Sequence, residues 1–232
     1  MATTGHTVKA FDEDLGQLRA LVSEMGGRAE AAITNAIDAL LNRDLESAAS
    51  IVANDTKIDQ LEAEIERQVV RLIALRAPMA DDLRDVLAAL KIAGVVERMG
   101  DYAQNIAKRV SILQDTRGLD AMSMLPAMGS IVAEMVRNTL DAFVSRDAEA
   151  AVAVAARDKA VDDFYNSIFR TLLTYMMENP HNITASTHLL FIAKNLERIG
   201  DHATNVAEMV YFAATGNQMT ERTRGEDPLA GE

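Results

Sequence analysis

The chain has 232 residues and a formal net charge of −12, with 35 acidic residues against 23 basic ones. This balance argues against binding to nucleic acid or to an anionic membrane surface, and it favours cations or basic partner surfaces. The absence of cysteine excludes disulfides, thiolate metal ligands and cysteine nucleophiles. We expect neither a signal peptide nor a membrane-spanning segment, because no apolar stretch is long enough.

Helix-forming residues and a helical spacing of apolar positions run through nearly the whole chain and predict an all-α fold. We expect six long helices, in chain order at residues 8–42, 44–75 (with Asp44 as N-cap), 80–113, 121–145, 148–178 and 183–213. Pro78 separates the second helix from the third. A polar segment at 114–120 separates the third from the fourth. We expect the tail, 216–232, to be disordered.

The second half of the chain repeats the first. At an offset of 103 residues the matched pairs include Arg43 and Arg146, Asp44 and Asp147, Asp55 and Asp158, and Asp59 and Asp162. At an offset of 100 residues, Glu-Arg-Met-Gly-Asp at 97–101 recurs as Glu-Arg-Ile-Gly-Asp at 197–201. These matches predict a tandem duplication of a three-helix bundle. The repeats are expected at 1–115 and 116–215, before the tail at 216–232.

Each half carries two pairs of carboxylates spaced i and i+4, so that both members of a pair share one helix face. The eight residues are Asp55, Asp59, Glu97, Asp101, Asp158, Asp162, Glu197 and Asp201. Several of these pairs lie within or directly beyond apolar stripes. Like charges at this spacing cost roughly 0.2–0.5 kcal/mol even when exposed, and burial makes them costlier unless a cation neutralises them. We therefore interpret the eight as ligands of hard cations such as Mg²⁺, Mn²⁺, Ca²⁺ or iron.

A solvated acidic face, neutralised by nearby arginines, is the ordinary alternative for any single pair. Four pairs at matched positions favour the cation sites. The two sites are expected to be unequal, because Lys194 in the second half stands where the first half has Gly94. Gly94 and Gly100 should also allow a close approach of another helix. None of the four histidines falls on an acidic face, which argues against a zinc-type site.

Four segments together resemble the PhoU family of bacterial phosphate-signalling proteins. They are Asp55-x-x-x-Asp59, Arg-Ala-Pro-Met-Ala-Asp-Asp-Leu-Arg at 76–84, Glu-Arg-Met-Gly-Asp-Tyr-Ala-Gln-Asn-Ile-Ala-Lys at 97–108 and Asn-Leu-Glu-Arg-Ile-Gly-Asp-His-Ala-Thr-Asn at 195–205. The resemblance covers roughly residues 8–212. It implies two three-helix bundles, a homodimer, and metal clusters held by the same eight carboxylates.

The resemblance also implies a cytoplasmic location, peripheral to the inner membrane through partners. The implied partners are a phosphate-specific ABC transporter and a PhoR-type sensor kinase. The implied role is repression of the phosphate-starvation response and of phosphate uptake when phosphate is plentiful.

The residues themselves leave three functional classes open. The leading one is a metal-binding regulatory adaptor without enzymatic activity, with residues 76–84 as a candidate partner contact. The first rival is a metal-dependent all-α nucleotide pyrophosphohydrolase, for which Lys194 is a weak hint of phosphate binding. The second rival is a structural or metal-storage bundle. A ferritin-like oxidase is disfavoured because its Glu-x-x-His pairs do not occur.

Overall fold

The structure is a computed structural model that describes residues 3–116 and 120–219. Its α-helices are α1 (Thr3–Asn42), α2 (Leu45–Asn54), α3 (Thr56–Arg76), α4 (Asp81–Ala107), α5 (Leu125–Ser145), α6 (Ala148–Ala155), α7 (Asp158–Glu178) and α8 (Ile183–Thr215). Short 3₁₀ turns precede α5 at Asp120–Met124 and α8 at Pro180–Asn182. No described residue lies in a β-strand. The predicted all-α fold is confirmed.

The helices expected at 44–75 and 148–178 are each divided in two, so that part of the prediction is wrong. At the α2–α3 junction, the N–H of Ile58 donates to the carbonyl of Asp55 at 2.8 Å. At the α6–α7 junction, the N–H of Arg157 donates to the carbonyl of Val154 at 3.0 Å. Such i→i+3 bonds tighten the turn and change the helix direction. The first break lies at Asp55 and the second lies immediately before Asp158, which are the matched first members of two i,i+4 acid pairs.

Three other boundaries differ from the expected ones. The third long helix ends at Ala107, and residues 108–115 form successive turns instead of continuing the helix to 113. The first helix begins earlier than expected, at Thr3. The last helix, α8, ends at Thr215, and Gly216 caps it in the left-handed conformation (φ 75°). The disorder expected in the tail concerns mainly residues 220–232, which lie outside the described residues.

Matched residues cap matched helices in the two halves. Asp44 accepts a hydrogen bond from the N–H of Ser47 at 3.0 Å, and Asp147 accepts one from the N–H of Ala150 at 2.9 Å. The predicted N-cap at Asp44 is therefore confirmed, and the hydrogen bond from the backbone of Ser47 lowers the pKa of this carboxyl. Immediately before the caps, Arg43 and Arg146 both adopt φ 57°. The duplication is thus visible in local backbone geometry.

The two halves share one continuous core built around α4 and α8. These helices pack against each other, α1 and α5 lie against them, and α3 and α7 flank α4 and α8 respectively. They run antiparallel: Arg84, at the start of α4, contacts Gly216 at the end of α8. Midway, the matched residues Tyr102 and His202 stack with ring centroids 5.5 Å apart and an angle of 11° between planes. The stack thus pairs matched positions of the two repeats.

One buried charge joins the halves. The Asp85 carboxylate of α4, 1% exposed, lies 2.5 Å from the Arg19 guanidinium of α1 and 3.4 Å from that of Arg146 at the end of α5. Burying a carboxylate is costly unless it is paired, so two partners from different helices explain its place in the core. None of the described helices combines the length and the apolar character needed to cross a bilayer.

Candidate functional site: two acidic clusters

The eight predicted ligands fall into two groups, one in each half. The first acidic cluster lies between the α2–α3 segment and α4 and comprises the predicted Asp55, Asp59, Glu97 and Asp101, joined by Glu62, which was not among the eight. The second acidic cluster lies between α7 and α8 and comprises Asp158, Asp162, Glu197 and Asp201. Within each cluster, carboxylates from both segments are near enough to interact electrostatically or through a bridging hydrogen bond. The predicted convergence of acid pairs from two helices is therefore seen in both halves.

Glycine allows the helices that carry the first cluster to approach closely. A Cβ at Gly100 would lie 2.8 Å from Ile58 Cδ1 and 3.4 Å from Asp55 Oδ1, so a side chain there would push the segments apart. At Gly94 a Cβ would lie 3.3 Å from Glu62 Oε1. Both glycines therefore have the close neighbour that the sequence predicted.

The first carboxylate of each cluster is held by a polar residue of the facing helix. Gln104 of α4 donates from Nε2 to Asp55 Oδ2 at 2.5 Å. At the matched position of α8, Thr204 donates from Oγ1 to Asp158 Oδ1 at 3.2 Å. Sequence reasoning did not single out Gln104 or Thr204. The available signal was a polar residue three positions after the last acid of both repeated phrases.

Crowding of negative charge raises carboxyl pKa values in the first cluster. Partial burial, followed by the charges of Asp101 and Asp59, raises the pKa of Asp55 above its ordinary value. Burial and then the charges of Asp101 and Glu62 raise the pKa of Glu97. Both shifts show that the ionised forms are disfavoured as the cluster stands. A bound cation would relieve that conflict.

The second cluster contains its own cation. Lys194 Nζ donates to Glu197 Oε1 at 2.6 Å and lies 5.0 Å from the centroid of the Tyr165 ring. Burial works to lower the pKa of Lys194, but its hydrogen bond with Glu197 and the charge of that carboxylate outweigh it, and the net shift is upward. Burial raises the pKa of Glu197 in spite of Lys194, and Glu197 Oε2 is buried without a hydrogen bond. The two clusters therefore differ in charge, and their inequality as cation sites stays a prediction.

Two further substitutions widen this difference. The repeat places Tyr165 of the second half at the position of Glu62, and Phe169 at the position of Glu66. Glu62 belongs to the first acidic cluster, and burial followed by the charge of Glu66 raises its pKa. The first half therefore has two carboxylates where the second has aromatic rings.

The donor atoms suit a hard cation, although they are not arranged as a finished site. Within the ranges 3–116 and 120–219, no group of three or more His, Cys, Asp or Glu side chains stands ready to hold a metal ion. The donors are all carboxylate oxygens, which suits Mg²⁺, Ca²⁺ or Mn²⁺. Asp59 and Asp101 are exposed and can rotate towards a shared ion. Asp55 would have to exchange its hydrogen bond with Gln104 for such an ion.

His202 follows Asp201 of the second acidic cluster, whose charge acts on it, but its ring packs against α4. His202 stacks on Tyr102, and its Nδ1 is buried without a hydrogen bond. Burial, followed by the positive charge of Arg98, lowers its pKa below the ordinary value. The expectation that no histidine serves as a metal ligand stays a prediction.

The segment at 76–84 forms one ion pair with α1 and one within itself. Arg76 donates to Asp14 of α1 at 3.0 Å, and Arg84 donates to Asp81 at 2.7 Å. Between them, Met79 is 79% exposed at the turn between α3 and α4. These pairs show how the segment is held, and its role as a partner contact stays a prediction.

Comparison with protein-family models gives two matches along the chain, at residues 22–110 and 125–210, both to the PhoU domain. The chain belongs to the PhoU family. A relative from Zymomonas mobilis, named a phosphate-specific transport system accessory protein PhoU homolog, is 62% identical and is matched over 98% of this chain and 96% of its own length. A relative of the same name from Caulobacter vibrioides is 49% identical over 98% of this chain and 99% of its own. The resemblance noted in the sequence is confirmed.

Solved PhoU structures have the same fold. The crystal structure of PhoU from Pseudomonas aeruginosa superposes with a TM-score of 0.85 at 36% identity, covering 89% of this chain and all of that one. The phosphate transport system regulatory protein PhoU from Streptococcus pneumoniae gives a TM-score of 0.84 at 30% identity, covering 90% and 99%. The six-helix arrangement, with its second and fifth helices divided, is therefore a PhoU fold.

Proposed function

We propose that this chain is a negative regulator of phosphate uptake and of the phosphate-starvation response. In this role it links a phosphate-specific ABC transporter to a PhoR-type sensor kinase. The observation that carries the proposal is full-length similarity to relatives named as accessory proteins of the phosphate-specific transport system. Such a protein is a regulator and not an enzyme. Its location is then cytoplasmic, at the inner membrane when it is bound to the transporter, and its assembly is a homodimer.

The acidic clusters supply the cation-binding part of the proposal. Asp55, Asp59, Glu97 and Asp101 would hold a hard cation in the first cluster, whose shared negative charge disfavours the metal-free state. A cation supplies positive charge there and ties α4 to the α2–α3 segment. Carboxylates drawn towards one ion would hold these segments at a fixed distance, which shapes the surface offered to a partner.

In the second cluster, Asp158, Asp162, Glu197 and Asp201 would bind a cation more weakly. Lys194 already neutralises part of the charge, and it must leave Glu197 before that carboxylate can coordinate. The buried Glu197 Oε2, which has no hydrogen bond, is the atom in this cluster that would gain most from a ligand. The proposal therefore assigns the stronger cation site to the first half.

The rival functions receive less support. The pyrophosphohydrolase alternative had Lys194 as its weak hint of a phosphate-binding group, and this side chain is engaged with Glu197 and Tyr165. No observation favours metal storage over regulation.

The regulatory role is tested in a bacterium from which the gene has been deleted. We expect a reporter of the phosphate-starvation response to stay on in phosphate-rich medium after deletion, and the wild-type gene to switch it off again. Affinity-tagged protein should co-purify with the transporter and the kinase. Unchanged reporter output together with no association would refute the regulatory role.

The cation sites are tested by elemental analysis of protein purified without chelator or added metal. We expect the double variant Glu97→Ala plus Asp101→Ala to contain less metal per chain than the wild type. Equal metal content in the two proteins would show that Glu97 and Asp101 are not cation ligands. Light scattering measures the expected homodimer on the same samples.

A further inference from the structure

A groove runs between α4 and α8, on a face that neither acidic cluster occupies. Its volume is about 750 Å³, and Arg84, Lys91 and Arg98 of α4 form one side while Met209 and Phe212 of α8 form the other. We call it the α4–α8 groove.

The side chains along this groove repeat every seven residues. On α4 the cations Arg84, Lys91 and Arg98 are seven apart, and so are Ala88 and Val95 between them. Seven residues advance a helix by about 10.5 Å and return to nearly the same face. This is the spacing with which one helix packs along another.

The opposite wall has the same period. His202 and Met209 of α8 are seven residues apart, and so are Asn205 and Phe212. Phe212 is 44% exposed, and Leu87 across the groove is 41% exposed. Both walls therefore present partly exposed apolar groups in register with the heptads of α4.

The charge of the groove is opposite to that of the chain. The protein carries −12, yet three cations line one wall. Lys91 and Arg98 form no ion pair with another described residue, although the charge of Arg98 acts on Glu62 of the first acidic cluster. Arg84 pairs with Asp81. Of the described lining residues, Glu208 is the one with a carboxylate. A positive, partly apolar groove on an acidic protein selects an acidic, partly apolar occupant.

We propose that the α4–α8 groove binds an amphipathic helix of a partner protein. That helix carries Asp or Glu at seven-residue intervals facing Arg84, Lys91 and Arg98, and apolar residues that fill the space between Leu87 and Phe212. The identity of the partner rests on the proposed regulatory function, whereas binding of such a helix is a property of this chain alone.

The spacing of the cations argues against a small anion as the occupant. A single phosphate or carboxylate is gripped by cations that converge on one point. Here the helix positions of successive cationic residues are separated by a rise of about 10.5 Å along α4, so an extended ligand is needed to reach all three. A helix with acids at the same period does so without distortion.

The first experiment measures binding of a designed probe to the full chain. The probe is a labelled helical peptide of three heptads with Glu and Leu in heptad register, and its control has the same composition with the register scrambled. We expect the register peptide to bind about ten-fold more tightly or better, and to weaken as salt is raised. Equal affinity of the two peptides would overturn the proposal.

Substitutions locate the binding. Lys91→Glu and Phe212→Ala should each weaken the register peptide by about ten-fold. The matched controls are Lys159→Glu and Leu173→Ala on the exposed surface of α7, which should leave its affinity unchanged. Circular dichroism checks that each variant is folded. Retained binding in both groove variants, or equal loss in the controls, would overturn the assignment of the groove.

Two other occupants are distinguished in the same assay. The chain beyond Met219 contains acidic residues, and Glu226→Gln plus Asp227→Asn should leave peptide affinity unchanged. A gain of about ten-fold would assign the groove to the chain's own tail and overturn the proposal. Conversion of a dimer to a monomer by Lys91→Glu in light scattering would assign it to a second copy, with the same consequence.

The reporter separates this inference from the proposed function. We expect Lys91→Glu to lose repression in phosphate-rich medium while its metal content stays that of the wild type. If Lys91→Glu loses peptide binding but still represses, helix binding by the groove stands, its assignment to the partner used in repression is overturned, and the regulatory function stands. If deletion of the whole gene leaves the reporter unchanged, the regulatory function fails whatever the peptide does.

Discussion

The two acidic clusters occupy matched positions in the duplicated fold, yet they balance their charges differently. The first cluster adds Glu62 to the four repeated carboxylates and has Gly94 beside it. The second has Tyr165 and Lys194 at the corresponding positions, and Lys194 forms an ion pair with Glu197. The same helix geometry therefore supports one cluster whose negative charges lack a partner of opposite sign at the position of Lys194, and one that contains an internal cation.

In this duplicated fold the backbone around the two clusters is more alike than the charges of their side chains. The helix breaks, the polar anchors and one close glycine (Gly100, matched by Gly200) recur in both halves. A few side chains between them decide how much negative charge is left over. Because electrostatic energies depend on every neighbouring charge, such substitutions alter cation affinity while the fold stays the same.

The largest expected effect is on cation affinity. The double variant Glu97→Ala plus Asp101→Ala should weaken Mn²⁺ binding at the first cluster by about 100-fold or more, since removing even a group that supports a ligand costs about 10–100-fold. The matched double variant Glu197→Ala plus Asp201→Ala should change total Mn²⁺ binding much less. Titration calorimetry on both proteins measures this difference. Equal losses would remove the distinction between the clusters.

The next effect concerns the internal cation. Lys194→Met should lower the free energy of unfolding of the metal-free protein by about 1 kcal/mol, because Glu197 loses its partner while its side chain is only 13% exposed. The same variant should bind Mn²⁺ more tightly at the second cluster. Urea unfolding and calorimetry test the two parts. Lys159→Met, which removes an exposed lysine beside Asp163, is the control and should change neither quantity.

A smaller effect contrasts the two left-handed arginines. Arg43→Gly relieves the strained φ of 57° but loses a hydrogen bond to the Thr116 carbonyl, so its stability should change by less than about 0.5 kcal/mol. Arg146→Gly relieves the same strain but removes a partner of buried Asp85, and a net loss of about 1 kcal/mol is expected. Thermal unfolding of the two variants measures the difference in their stability. If Arg146→Gly proves the more stable variant, the Asp85 contact does not hold the halves together.

The smallest effect is a pH dependence. The folded-state pKa of Glu97 is raised above its ordinary value of 4.5, so the native state holds the proton more tightly than the unfolded chain. Its contribution to stability is therefore full below the ordinary pKa and is lost as pH rises through the raised one. In metal-free protein at neutral pH, Glu97→Gln should raise stability by about 0.5 kcal/mol, the size of partly screened charge repulsion.

The control for this pH effect is the matched variant Glu197→Gln. It should gain less stability or none, because it weakens the interaction with Lys194. Unfolding free energies measured across the acidic range compare the two. A larger gain from Glu197→Gln would reverse the assignment of the unbalanced cluster.

Sequence reasoning predicted the clusters because their signals are local and repeated. The i,i+4 spacing at Glu97 and Asp101 sets a shared helix face whatever the rest of the chain does. The N-cap at Asp44 was predictable in the same way, since a carboxylate beside the first free N–H groups makes its hydrogen bond locally. Gln104 and Thr204 escaped notice because their partners lie on another helix, about 50 residues away.

The helical class, the duplication, the PhoU resemblance and the pairing of acids on helix faces could all be predicted from the order of residues. Three features depend on packing between helices and were not predictable in this way. They are the break between α2 and α3, the contact of α4 with α8 at the Tyr102–His202 stack, and the ion pair between Lys194 and Glu197. The physical reason is one of range. Helical periodicity is set by neighbours within four residues, whereas helix breaks, crossings and charge partners depend on packing between residues distant in the chain.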